Sequence, residues 1–315
     1  MAIPECLRRG LALPVIGAPL FIVSTPELVI AQCKSGVIGA FPALNARPPG
    51  ELERWIERIE AELSACPGAA VYAVNQIVHR SNPRLEHDLE VCVRHRVPLV
   101  ITSLRAPGAV VPAVHGYGGL VFHDVISVRH AEKALEAGVD GLILVCAGAG
   151  GHGGTLSPFA LMAEVRRFYD GPIALSGAIA TGRGILAAQA MGADFAYIGT
   201  RFIATREARA SDAYKACLVD STASDIVYTP YFSGVAGNYL RASIVAAGYD
   251  PEHLPSEASP PLDLAAATTA KVWKDIWGAG QGVGAIDDLP PTADLVARLA
   301  REYAAARDTL NRLSP

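Results

Sequence analysis

Two groups of residues carry the chemistry that this sequence can do. The first is the run Ala147-Gly148-Ala149-Gly150-Gly151-His152-Gly153-Gly154-Thr155, a glycine-rich loop holding one imidazole. Glycine costs conformational entropy on folding, so a loop this bare suits a flat group lying against its backbone. His152 is the only histidine or charged side chain between Asp140 and Glu164. With an ordinary pKa of about 6.5 it accepts a proton or donates a hydrogen bond at neutral pH. The second group is Ser176-Gly177-Ala178 together with Gly199-Thr200, each directly after a short apolar run. Glycine lets the backbone approach an anion closely, and a short helix starting there adds N–H donors and a favourable dipole. A glycine after a strand also serves as a plain turn, and a lone histidine as a surface residue. Two such glycine loops and a third with an imidazole favour a phosphate end and an acid–base end of one site.

These loops need strands to hold them. Short, mostly apolar runs recur at Val15–Ala18, Val37–Ala40, Ala70–Asn75, Leu99–Thr102, Gly119–Phe122, Gly141–Val145, Ile173–Ser176 and Phe195–Gly199, as expected of strands covered on both faces. Helical stretches are predicted between them at Thr25–Ser35, Gly50–Ala65, Pro83–His95, Gly108–His115, Val128–Ala137, Pro158–Phe168 and Gly182–Met191. Thr25-Pro26 and Ser157-Pro158 each place a capping hydroxyl before a first-turn proline. Gly36, Gly138 and Gly192 follow helices directly, where a left-handed C-cap favours glycine.

Eight strands alternating with helices predict an α/β fold, a closed (β/α)8 TIM barrel. The competing open doubly wound sheet lacks its expected G-x-G-x-x-G loop with a later acidic residue. In a barrel the active site lies at the carboxyl ends of the strands, where Gly17-Ala18, Asn75, His123 and the three loops above all fall. After Thr200 the alternation stops. Arg206–Asp220 reads as a helix, Tyr228–Tyr239 as an aromatic and glycine-rich loop, and Pro251–Pro261 as a proline-rich connection. Helices follow at Leu264–Trp277 and Ala293–Arg312. We therefore assign residues 1–206 and 285–315 to the barrel. Residues 207–284 form a mainly helical elaboration over its mouth.

Composition narrows the function. The 315 residues are 51% hydrophobic, with Lys+Arg 27 against Asp+Glu 31, a net charge of −4. That balance argues against nucleic acid, whose phosphates attract basic patches. Six cysteines without a CxxC pair read as reduced thiols, and no metal site is predicted. Cys146 would need an electropositive partner to act as a thiolate. The remaining histidines lack metal-like spacing, and Trp273 with Trp277 reads as i, i+4 packing. No run reaches the roughly 20 apolar residues of a membrane span, and the start does not read as a signal peptide. The expected setting is the cytoplasm. The C-terminal helix suits its own barrel or a neighbouring copy equally well.

The strings "AGAGGHGGT", "ALSGAIATGRGILAAQAMGADFAYIGTRFIAT" and "VWKDIWGAGQGVG" resemble those of the nitronate monooxygenase (2-nitropropane dioxygenase-like) family, over about Val15 to Gly284. The resemblance implies an FMN-dependent oxidoreductase. Ser176, Gly177, Ala178, Gly199 and Thr200 would then hold the FMN phosphate. Gly17, Ala18 and Asn75 would flank the ring and ribityl chain, and His123 would supply a polar flavin contact. Gly150 and Gly151 would let the isoalloxazine approach, and Gln281 would reach it from the C-terminal segment. His152 matches the family's active-site histidine. The chain departs from the family by lacking an acidic residue before the Gly-Gly-His segment and by carrying the bulky Phe21 in its first loop. With Tyr231 and Asn238, Phe21 would shape the substrate pocket.

The activity so implied is oxidation of an alkyl nitronate by O2 to a carbonyl compound and nitrite. The same scaffold also suits an enzyme that takes electrons from NAD(P)H and reduces an enoyl thioester or quinone. A flavin-binding protein without chemistry is a third reading, which the histidine in the glycine loop disfavours.

Overall fold

The computed structural model describes residues 3–255 and 275–313. Its framework is nine strands in the first two-thirds of the chain: β1 (Val15–Gly17), β2 (Gly39–Pro42), β3 (Tyr72–Val78), β4 (Leu99–Leu104), β5 (Leu120–Val125), β6 (Gly141–Val145), the short β7 (Gly151–His152), β8 (Ile173–Ser176) and β9 (Phe195–Ile198). All but β7 form one parallel sheet in the order β1-β9-β8-β6-β5-β4-β3-β2. A parallel bridge between Ile16 and Ile38 joins the two edges, with Gly17 N–H donating to Ile38 O at 2.8 Å. The barrel expected from the strand pattern is therefore present.

Strand parity sorts the core into two layers. Ile16, Ala40, Ala73, Leu99, Ile101, Phe122, Ile143, Ala174 and Phe195 pack together inside the barrel. Their sequence neighbours Val15, Phe41, Val74, Val100, Val121, Leu142 and Ala196 pack with the helices outside. Two apolar layers share each strand, which is why the strands read as continuous apolar runs. The C-terminal helix Thr292–Leu313 places Leu295, Val296 and Leu299 in the outer layer.

The local signals behave as chemistry dictates, with two exceptions. Gly36, Gly138 and Gly192 have φ of 88°, 85° and 104°, the left-handed region expected of a C-cap. Helices start at Pro26 and Pro158, yet neither Thr25 nor Ser157 caps its helix through the side chain. The Thr25 hydroxyl instead donates to Glu27 Oε2 at 2.6 Å. The predicted helix Arg206–Asp220 is helical only over Asp212–Asp220, where Ser211 caps it by accepting from Tyr214 N–H.

The stretch read as a loop, Tyr228–Tyr239, is largely a hairpin. Its strands β10 (Ile226–Thr229) and β11 (Gly237–Leu240) are antiparallel, and β11 also pairs with β7. Glycines and aromatics hid the pairing, since Gly237 and Asn238 are poor strand formers that only the tertiary contact makes extended. The predicted helix Leu264–Trp277, with Trp273, falls almost wholly outside the described residues, as does the second half of Pro251–Pro261. Among the described residues, no helix is long and apolar enough to cross a membrane.

Candidate active site

A cavity of about 700 Å³ opens at the carboxyl ends of the strands. That volume lies within the range of small-molecule and cofactor sites, about 300–1,000 Å³. Ala18 and Phe21 line it from the loop after β1, with Asn75, Ser103 and Asp124 at the ends of β3, β4 and β5. Gly148 through His152, Ser176 through Ala178, and Gly199 with Thr200 complete the barrel's share. Tyr214, Tyr228 and Trp277 supply an aromatic wall from the later segment, with Tyr214 stacked on Trp277 at 5.0 Å.

The glycine loop is tied down from outside the barrel. Asn238 Nδ2 donates to Ala149 O at 2.6 Å, and the Tyr228 hydroxyl donates to Gly153 O at 3.1 Å. Gln281 N–H donates to Gly148 O at 2.9 Å, and Gly280 N–H donates to Thr200 Oγ1 at 2.9 Å. These contacts give the glycines a second reason to be bare. A Cβ at Gly150 would lie 2.7 Å from Gly280 N, and one at Gly148 would lie 2.9 Å from Gln281 Oε1. At Gly151, with φ of 66°, a Cβ would meet nothing within 4 Å, so its backbone faces open cavity.

His152 sits on β7, held by the hairpin. Its Nε2 lies 2.8 Å from Ser233 Oγ, and the Ser233 hydroxyl donates onward to Val235 O at 2.9 Å. A hydroxyl has one proton, so in this arrangement Nε2 is the donor to Ser233. That tautomer leaves the basic lone pair on Nδ1. Burial lowers the His152 pKa to about 4, because the charged ring loses its hydration. The imidazole is neutral at physiological pH.

The loops after β8 and β9 have the makings of an anion cradle. Gly177 has φ of 139° and Ala178 a left-handed φ of 54°, so the backbone turns sharply at the cavity. Among the described residues, no hydrogen bond engages the N–H of Gly177, Gly199 or Thr200. Neither Ser176–Thr181 nor Gly199–Thr205 contains an acidic side chain that would repel an anion. Arg201 is committed elsewhere: it is buried, and its Nη2 pairs with Asp288 Oδ1 at 2.7 Å, pinning the returning chain to the barrel.

Some expected residues stand away from the cavity surface. Gly17 lies below it, and a Cβ there would run into the Gln32 amide at 2.3 Å. His123 is buried with Nδ1 2.8 Å from Thr102 Oγ1, facing outward with the helices by strand parity. Burial lowers its pKa to about 4 as well. Gln281 and Asn238 act on the glycine loop from behind. Tyr231 joins a cluster with Phe232 and Tyr249 at ring separations of 5.2 and 5.7 Å. Cys146 is buried, which pushes its thiol up to about 12 and keeps it protonated.

Two polar groups in the wall escaped the sequence reading. Asp124 follows His123 by one residue and faces inward, where burial raises its pKa to about 7. Ser103 donates to Asp124 Oδ2 at 2.6 Å and accepts from Asn75 Nδ2 at 2.8 Å. Extending the predicted strand by three residues and applying period two would have placed Asp124 inside. No comparable signal marks Ser233.

Comparison with known proteins agrees with this geometry. The family model described as nitronate monooxygenase matches residues 51–302. The chain belongs to the nitronate monooxygenase family of oxidoreductases, which use a flavin. It is 27% identical to a nitronate monooxygenase of Paraburkholderia phytofirmans, with 97% of this chain and 96% of that protein covered. Among solved structures it is similar to FabK from Thermotoga maritima, with a TM-score of 0.80 at 23% identity, covering 98% of each chain. It is also similar to a nitroalkane oxidase from Streptomyces ansochromogenes, with a TM-score of 0.80 at 24% identity, covering 95% of this chain and 97% of that one. Both solved structures share the fold.

Proposed function

We propose that this protein binds FMN and oxidises alkyl nitronates with O2 as electron acceptor, giving a carbonyl compound and nitrite. The observation that carries this reading is the neutral, half-buried imidazole of His152 on the wall of a largely apolar cavity. In this reading the N–H groups of Gly177, Gly199 and Thr200, with Ser176 and Ala178, take the phosphate. Ala18, Asn75, Gly150 and Gly151 flank the ring, and residues 207–284 serve as the cap. Gly17, His123 and Gln281 then support the flavin site from one layer further out. When bound, FMN supplies the single-electron chemistry that no side chain here offers.

The protein's own part is binding, exclusion of water and proton handling. Leu20, Phe21, Ile77 and the Tyr214–Trp277 stack keep the cavity apolar. A neutral nitroalkane loses its α-proton to the His152 imidazole, leaving the nitronate beside an imidazolium. Attraction between these two charges raises the pKa of the ring, so proton transfer becomes easier as the anion forms. A substrate supplied already as the nitronate needs no base, and His152 then serves to orient it.

The test is nitrite release and O2 uptake by the FMN-loaded protein with a nitroalkane and with its nitronate. The variant His152→Asn should lose about 10²- to 10⁴-fold with the nitroalkane. Unchanged turnover of both forms would refute the role given to His152.

A second reading is NAD(P)H-dependent reduction of an enoyl thioester or quinone. The aromatic wall of Tyr214, Trp277 and Tyr228 favours it, since it gives a planar or acyl substrate a surface to lie on. Flavin bleaching by NADH or NADPH alone, without a nitronate response, would select this reading.

A further inference from the structure

The Asn75–Ser103–Asp124 chain crosses three adjacent strand ends, and all three side chains line the cavity. Its direction is fixed. The Asn75 amide donates to Ile101 O at 3.2 Å and to Ser103 Oγ at 2.8 Å, and Ser103 donates to Asp124 Oδ2 at 2.6 Å. One Asn75 proton is taken by Ile101 O, and the hydrogen bonds through Ser103 both point toward the carboxyl group. An ionised carboxylate can accept about four hydrogen bonds. Here Oδ2 accepts from Ser103, while Oδ1 is buried with no partner among the described residues. A buried acceptor left unmade is costly, and Asp124 lines the cavity, so a small turn of its carboxyl group would let a donor on the ligand satisfy it. The other ionisable side chains in the cavity wall are Tyr197, His130, His152, Arg209, Tyr214 and Tyr228.

We propose that Asp124 is the group that recognises the ring of the bound cofactor, its carboxylate accepting a hydrogen bond from the ring imide N–H. This rests on the reading that the cavity holds FMN. An oxidised isoalloxazine carries one N–H, at N3, between two carbonyls, and an acceptor-only side chain suits that atom. Asn75 and Ser103 act as positioning residues, holding the carboxyl plane with their own donors turned away from the ligand. Bond formation to the ring also favours the ionised form of Asp124, because it adds a donor to the charged state.

The experiment is a binding cycle with FMN and N3-methyl-FMN as probes, read by quenching of flavin fluorescence, on wild type and Asp124→Ala. Hydrogen bonds to a charged group are worth about 10- to 100-fold in affinity. Wild type should bind FMN more tightly than the methylated probe by about that factor, and Asp124→Ala should show little discrimination between the two. In parallel, the N3 proton of ¹⁵N-labelled FMN should be protected from exchange in wild type and lose protection in the isosteric Asp124→Asn, which keeps the volume of the side chain. An equal methylation penalty in wild type and Asp124→Ala, with FMN itself bound, would overturn the role of Asp124 and leave the FMN reading standing. Failure of wild type to bind FMN at all would overturn both.

Discussion

His152 Nε2 lies 2.8 Å from Ser233 Oγ, a contact that spans 81 positions of sequence. It joins the candidate base, which lies in the barrel's glycine loop, to the hairpin packed outside it. The barrel therefore does not orient this imidazole by itself. The segment after the last barrel strand does so, through Ser233 and through the pairing of β11 with β7.

Replacing Ser233 by alanine should consequently act on turnover rather than on cofactor content. Losing the hydrogen bond loosens the hold on the ring and weakens the preference for the Nε2–H tautomer. We expect kcat for a nitroalkane to fall by roughly 5-fold, from a bond worth about 1 kcal/mol, with FMN stoichiometry unchanged. Steady-state kinetics beside a flavin absorbance ratio measures both. A fall in FMN content with normal kcat per flavin would place Ser233 in cofactor binding instead.

The pH profile should report a neutral imidazole. His152 is lowered from its usual value to about 4 by burial, so the base form persists well into the acid range. For a neutral nitroalkane, kcat/KM should hold level with respect to this group from pH 8 to about 5 and fall only as pH approaches 4. An acid limb centred near 6.5 would show that the ring is hydrated in the working enzyme.

Asp124 sets the opposite sign. Its folded pKa of about 7 lies above the ordinary carboxyl value of 3.8, so its contribution to stability is fully present below 3.8 and is lost as pH rises through 7. Asp124→Asn removes that titration. In FMN-free protein the variant's thermal midpoint should gain on wild type between pH 4 and pH 8, by a few degrees at the upper end. Parallel curves for the two proteins across that window would mean that the carboxyl ionises without cost.

Asn238 offers a test of the strap on the glycine loop. The side chain is buried and donates to Ala149 O, so Asn238→Leu leaves that carbonyl without its partner. The expected loss is about 1–3 kcal/mol in urea or thermal unfolding, together with weaker retention of FMN on gel filtration. A neutral effect on both would show that the loop holds its shape unaided.

The barrel was legible because two apolar layers share each strand and glycine ends the helices. Those signals are local. Gly36, Gly138 and Gly192 could be placed from sequence, and the structure gives each a left-handed φ. The glycine loop and the phosphate-type loops were legible for the same reason, and the structure brings His152, Gly151, Ser176–Ala178 and Gly199–Thr200 to one cavity. What was missed depends on parity or on distant contact. One extra residue along β5 separates His123, which faces the helices, from Asp124, which faces the site. The β10–β11 hairpin has little strand propensity of its own, and Ser233 gains its meaning only from His152 across the fold. Tyr231 looked like a pocket wall because it is aromatic, whereas Tyr214 and Trp277 supply that wall.

The most direct test of the central claim is an anaerobic absorbance titration of the FMN-loaded protein, with an alkyl nitronate and, separately, with NADH and NADPH. The account expects the nitronate alone to change the visible flavin spectrum in the absence of O2, and the reduced nicotinamides to leave it unchanged. Bleaching by a nicotinamide with no response to the nitronate would contradict it.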